Sequence, residues 1–195
     1  MKVYNFSPGP AKLDSSIISK SQEAMYNFQN TGLSILEIGH RSKEFEKLMN
    51  SLQENIRNIF NVPTNYFTLF LQGGATFQNT FIANNFDMRD KDLGCLVTGT
   101  WGKNTFDDFS KIRETKLIEL SQDEIENFVE SGEDLKNVDY LHLTSNETIN
   151  GVQLREFNKI NHDSLLIDMS SDIGSYRFEW DNIAYIYAGA QKNMG

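Results

Sequence analysis

Lys192 and Asp168 are the side chains of this 195-residue sequence best placed to do chemistry. Lys192 follows the aromatic-rich run IAYIY (183–187) through the small residues AGAQ. That composition predicts a strand with Lys192 presented at its buried end rather than on a solvated helix. A desolvated lysine gives up its proton more readily, and a neutral amine attacks a carbonyl carbon to form a Schiff base. Taken alone, a solvated strand-end or terminal lysine is the more ordinary reading. Asp168 changes the balance, because it closes the apolar run SLLID just before the hydroxyl-rich MSSDIGS and so is also expected where a buried strand ends. An amine and a carboxylate at the ends of neighbouring strands are the two groups that pyridoxal 5′-phosphate (PLP) takes from a protein. The amine binds its aldehyde, and the carboxylate keeps the ring nitrogen protonated so that the ring can accept electrons.

Other residues suit an anion or a ring. Gly73 and Gly74 follow the hydrophobic run FTLFL (67–71), expected to be a short strand, and precede a helix predicted to start near Ala75. Free N–H groups and the positive end of that helix favour an anion, and the Thr76 hydroxyl adds a further bond, although this pattern fits many nucleotide-binding folds. The adjacent His40 and Arg41 offer an imidazole and a planar guanidinium that suit the phosphate of a substrate; a surface arginine at a helix start is the plain alternative. Trp101, at the start of another expected helix, offers a broad indole face, though a lone tryptophan is more often core packing. His142, inside a strand, reads as a satisfied histidine rather than a base, and Asn146 and Glu147 as residues that shape a turn.

Alternating helices and strands must position these groups. An extended arm is expected over residues 3–10, where Pro8, Gly9 and Pro10 exclude helix. A helix follows from Asp14, with Asp14 or Ser15 as its cap and Ile17, Ile18, Ser21, Ala24, Met25 and Phe28 on one face, ending by Gly32. Phe45, Leu48, Met49, Leu52, Ile56, Ile59 and Phe60 recur at helical spacing before Pro63 and are expected to be core. LGCLV, KLIEL and DYLHLT read as strands, DEIENFVE as a short acidic helix, and LREFNKI as a brief helix before the Asp168 strand. The alternation predicts an α/β architecture with a largely parallel sheet covered by helices and ligand groups collected at strand ends.

Composition narrows the partners. The formal net charge of −9 and pI near 4.8 argue against nucleic acid or an anionic membrane. Hydrophobic residues at 39% and aromatics at 12% place the chain among folded soluble proteins, despite a mean hydropathy of −0.46. MKVYNFSPGP has no apolar core of signal-peptide length, no membrane-spanning apolar run follows, and a cytoplasmic protein is expected. The single cysteine, Cys95, excludes an internal disulfide and a cysteine metal cluster and reads as a buried inert thiol; no metal site is expected.

NFSPGPA, GHRS, LQGGA, NETINGV, IDMSS and AGAQKN, taken together, resemble the phosphoserine aminotransferases, class-V PLP-dependent enzymes of the aspartate aminotransferase fold superfamily. The resemblance runs over nearly the whole chain. It implies the three-layer α/β/α large domain of PLP-dependent transferase fold type I, with a mostly parallel sheet, over residues 15–195 after an N-terminal arm of residues 1–14. It implies that Lys192 bonds PLP and moves the substrate Cα proton, and that Asp168 pairs with the ring nitrogen. It further implies that Ala75 and Thr76 hold the PLP phosphate, Trp101 stacks on the ring, Thr148 and Gln191 position the cofactor, and His40 and Arg41 bind substrate. Some relatives carry arginine at the position of Thr76, a charge missing here.

The activity so implied is transfer of the amino group between glutamate and 3-phosphooxypyruvate, giving O-phosphoserine and 2-oxoglutarate in serine, and also pyridoxine, biosynthesis. Relatives are homodimers. They also continue well beyond the lysine, with a small domain, so the sequence corresponds to an N-terminal portion with the large domain incomplete. Two other readings stay open: a truncated PLP-fold module without turnover, and another fold type I PLP enzyme acting on a small amino acid.

Overall fold

In the computed structural model, which describes residues 3–4, 12–85, 91–131, 135 and 137–194, the chain divides into two units. One ends at Leu69 and the other spans Phe70–Met194. The arm expected over residues 3–10 lies outside the described residues except for Val3 and Tyr4.

Side-chain caps start both helices of the first unit. Helix α1, Ser15–Tyr26, begins where the Asp14 carboxylate accepts the Ser16 N–H at 2.8 Å, and α2, Lys43–Phe60, begins where the Ser42 hydroxyl accepts the Phe45 N–H at 3.2 Å. Each such cap contributes about 1 kcal/mol by satisfying a donor that the helix leaves open. Asn61 closes α2 in the left-handed conformation, φ 49°. Two 3₁₀ turns, Phe28–Asn30 and Ile35–Glu37, connect the helices.

The apolar face of α2 differs from the core expected of it. Neither helix contains a buried residue; Ile17, Ile18, Met25, Leu52 and Ile59 are exposed, while Phe28, beyond α1, is buried. Helical periodicity shows that a face is apolar but not that anything covers it. The strand expected over residues 67–71 is also absent: the segment is irregular and Phe67 is 89% exposed. An apolar run becomes a strand only where another strand takes up its backbone hydrogen bonds, and none among the described residues does.

The second unit is built on a five-stranded, wholly parallel sheet. Its elements in chain order are α3 (Gly74–Asn85), β1 (Leu93–Val97), α4 (Thr100–Ser110), β2 (Thr115–Glu119), α5 (Gln122–Ser131), β3 (Tyr140–Thr144), β4 (Asn146–Glu147), β5 (Val152–Gln153), β6 (Leu165–Asp168) and β7 (Ile183–Tyr187). The strand order is β2-β1-β3-β6-β7, and β4 and β5 form a separate antiparallel hairpin. The brief helix expected at LREFNKI is a single 3₁₀ turn, Phe157–Lys159.

Alternate strand residues serve two cores, as expected of a sheet covered on both faces. Leu141, Leu143, Leu165 and Ile167 pack with Ile125, Phe128 and Val129 of α5 and with Phe157. Leu93, Leu166 and Tyr187 pack on the opposite side with Ile82 of α3 and Phe109 of α4. Leu141, Leu165, Leu166 and Phe157 are fully buried, each contributing about 1.5–3 kcal/mol relative to exposure. The strands are thereby held in register, with Thr144 opposite Asp168 and Asp168 opposite Tyr187 at their C-terminal ends.

Candidate active site

A cleft of about 570 Å³ opens at those strand ends, lined by Gly74, Ala75, Thr76, Trp101, Thr144, Asp168, Ser170, Gln191 and Lys192, with Asn79, Asp108 and Lys111 among its other walls. Seven residues singled out from the sequence therefore behave as a group. Ala75, Thr76, Trp101, Asp168, Gln191 and Lys192 line the cleft, and Thr148 accepts a hydrogen bond from the Trp101 indole Nε1 at 2.8 Å. His40 and Arg41 are exposed in the first unit, in the turn immediately before α2.

Lys192 is not at a strand end as expected. It is half-exposed in the turn over residues 190–194, beyond Tyr187 where β7 stops. Its Nζ lies 5.3 Å from the centre of the Trp101 ring, a cation–π distance. Asp168 does close its strand, and its Oδ1 accepts the Ser170 N–H at 2.8 Å. Burial pushes its carboxyl above the ordinary range, while Ser170 and the nearby Lys192 charge act in the opposite direction. Among the described residues Asp168 forms no salt bridge, so a cationic group arriving in the cleft would find a desolvated acceptor.

The floor of the cleft is the first turn of α3. Gly73 and Gly74 reach it with φ of 99° and 64°, a conformation that side chains resist. The initial N–H groups of a helix have no partner within it and carry its positive end, which suits an anion such as a phosphate.

Trp101 is held through partners the sequence did not reveal. Glu147 was expected only to shape a turn, but its buried carboxylate accepts the N–H of Trp101 at 2.8 Å and of Gly102 at 2.6 Å. Asn150 Oδ1 accepts the Thr100 N–H at 3.0 Å. The hairpin of β4 and β5 thus caps α4, and a Cβ at Gly99 would stand 2.7 Å from both Asn150 and Glu147. No local signal marks this role, because the partners are 45 to 50 residues away. Ser170 was also missed: its hydroxyl accepts the Gly189 N–H at 3.1 Å and ties the turn after β6 to the segment bearing Lys192. The hydroxyl-rich MSSD was its only trace.

Beneath the cleft, His142 is fully buried, as a core histidine should be. Asn79 donates to Asp108 Oδ2 at 3.1 Å, which turns its Oδ1 towards the Tyr187 hydroxyl, also at 3.1 Å. Tyr187 donates there and so accepts from His142 Nε2 at 3.0 Å. That fixes the tautomer, leaving Nδ1 towards the Cys95 thiol at 3.7 Å. Burial lowers the His142 pKa to about 3 and raises that of the Cys95 thiol, leaving it inert.

Against known proteins, the Aminotransferase class-V family matches residues 3–195. The chain belongs to this family. It is 40% identical over 198 residues to the phosphoserine aminotransferase of Geobacillus kaustophilus, covering 100% of this chain and 54% of that protein. Its fold is similar to the phosphoserine aminotransferase of Bacillus circulans subsp. alkalophilus, with a TM-score of 0.89 at 35% identity over 100% of this chain and 55% of the other. It is also similar to a PLP-bound phosphoserine aminotransferase from Trichomonas vaginalis, with a TM-score of 0.83 at 30% identity over 100% and 59%. The chain thus spans about half the length of the curated relatives it matches. The expected α/β class and parallel sheet agree with these class-V structures. Among the described residues no helix is long and apolar enough to cross a membrane, and no group of three or more acidic, histidine or cysteine side chains could hold a metal ion.

Proposed function

We propose that the cleft is the PLP site of a phosphoserine aminotransferase and that residues 15–195 form an incomplete portion of its cofactor-binding large domain, after an arm of residues 1–14. The observation that carries the reading is the placement of the Lys192 amine 5.3 Å from the Trp101 ring in the cleft that Asp168 also lines. The donor set fits the cofactor: an amine for its carbonyl, a part-buried acid without a salt-bridge partner among the described residues for its ring nitrogen, an indole face for its ring, and a helix N-terminus for its phosphate. When bound, PLP supplies an electrophilic carbonyl and a ring that accepts electrons.

The protein's residues do the remaining work. Lys192 Nζ would hold the cofactor through its carbonyl and would carry the proton taken from the amino donor's Cα. Asp168 keeps a proton on the ring nitrogen. Ala75 and Thr76 bind the phosphate, Gln191 and Thr148 orient the cofactor, and Trp101 excludes water from one ring face. His40 and Arg41 are assigned to the substrate phosphate, for which a bidentate guanidinium is suited. The net reaction moves the amino group from glutamate to 3-phosphooxypyruvate and releases 2-oxoglutarate and O-phosphoserine. In the same proposal the working protein is a cytoplasmic homodimer in serine and pyridoxine biosynthesis.

The test reads binding rather than turnover. The chain is mixed with PLP, reduced with borohydride and mapped by mass spectrometry. A pyridoxyl group on Lys192, lost in Lys192→Ala, is the expected result; labelling of other lysines alone, or none, would overturn the assignment.

A further inference from the structure

Thr144, the last residue of β3, carries a hydroxyl that none of the described residues engages. Thr144 is 6% exposed, its Oγ1 is buried with no hydrogen-bond partner among the described residues, and it lines the cleft. Neighbouring hydroxyls are engaged. Ser145 donates to Asp172 Oδ1 at 2.6 Å, Ser171 accepts from Asn146 Nδ2 at 2.9 Å, and Thr148 accepts from Trp101. Parallel register sets Thr144 directly opposite Asp168, so the two side chains leave the same face of the sheet side by side.

Valine would fill the same volume, suits a buried strand at least as well, and would spare the fold an unpaired hydroxyl. Buried polar side chains are nearly always bonded, and one left open in a cleft calls for a partner from outside the chain. We propose that the Thr144 hydroxyl is a further ligand-binding group of the cleft, hydrogen-bonding the nitrogen heterocycle beside the Asp168 carboxylate. This rests on reading the cleft as a PLP site. Because a hydroxyl both donates and accepts, it can bond a polar substituent at the ring edge while Asp168 holds the ring nitrogen.

The experiment titrates the chain and its Thr144→Val and Thr144→Ser variants with PLP by near-visible absorbance, and records the thermal midpoint of each without PLP. Thr144→Val is expected to weaken PLP binding about 5- to 20-fold, as for loss of one hydrogen bond, while its unliganded midpoint rises by about 1–4 °C. Thr144→Ser restores wild-type affinity. These opposite signs separate a ligand contact from a structural hydroxyl. A valine variant that binds PLP within twofold of wild type, or is less stable than wild type, overturns the inference and leaves the PLP site standing. Absence of PLP uptake by the wild-type chain overturns both.

Discussion

The carboxylate of Glu147 receives the backbone N–H of Trp101 at 2.8 Å across 46 residues of sequence. The aromatic wall of the cleft is therefore set by a buried acid at the start of a hairpin. Burial raises the Glu147 carboxyl and the two N–H groups of α4 oppose that shift. Replacing Glu147 with alanine leaves both N–H groups without an acceptor, and a loss of about 2–3 kcal/mol is expected. Glu147→Gln keeps one acceptor and should lose about 1 kcal/mol. Urea unfolding measures both; a Glu147→Ala chain as stable as wild type would refute the capping role.

Trp101→Phe retains a flat ring but lacks the indole donor to Thr148. PLP affinity is expected to fall by about threefold in Trp101→Phe and by more than tenfold in Trp101→Ala, where the ring contact is gone as well. Absorbance titration distinguishes the two, and equal losses would mean that the hydrogen bond rather than the ring matters.

Asp168→Asn preserves shape while removing the charge offered to a ring nitrogen. A charge-assisted bond of this kind is worth about 1.5–3 kcal/mol, so PLP should bind about 10- to 100-fold more weakly. Unchanged affinity would place the ring nitrogen elsewhere.

His142 gives a pH dependence of definite sign. Its folded pKa, about 3, lies below the ordinary 6.5, so the unfolded chain takes up a proton that the folded chain refuses. The stability contribution is complete above about 6.5 and is lost as pH falls from there towards about 3, by up to about 1.4 kcal/mol per pH unit. His142→Phe loses the bond to Tyr187 and should be less stable at neutral pH, but its slope between pH 6 and 4 should be flatter. Denaturant midpoints across that range supply the check, and parallel slopes would contradict it.

How much of this was legible in the sequence depended on the range of the interaction responsible. LGCLV and LLID became strands because continuous apolar runs suit a sheet buried on both faces, and the Asp14 and Ser42 caps act on residues two or three positions away. The chemistry-bearing types were readable for the same reason: Asp168 closes a strand, and Ala75 and Thr76 lie in the first turn of a helix that begins at Gly74. Lys192 was misplaced because Ala188 to Gln191 form a connection instead of extending β7. The 67–71 segment and the face of α2 were misjudged because apolar composition does not disclose what lies opposite. Glu147, Asn150 and Thr144 gain their meaning only from groups on other elements, which spacing along one stretch cannot convey.

The reach from Thr100 to Asn150, 50 residues, also bears on how the chain is made. A ribosome adding about 5–20 residues per second delivers the stretch around Thr100 some 3–10 s before Asn150. During that interval the helix carrying Trp101 has an unfinished first turn, so an emerging chain cannot complete its aromatic shelf until the NETIN segment has left the exit tunnel.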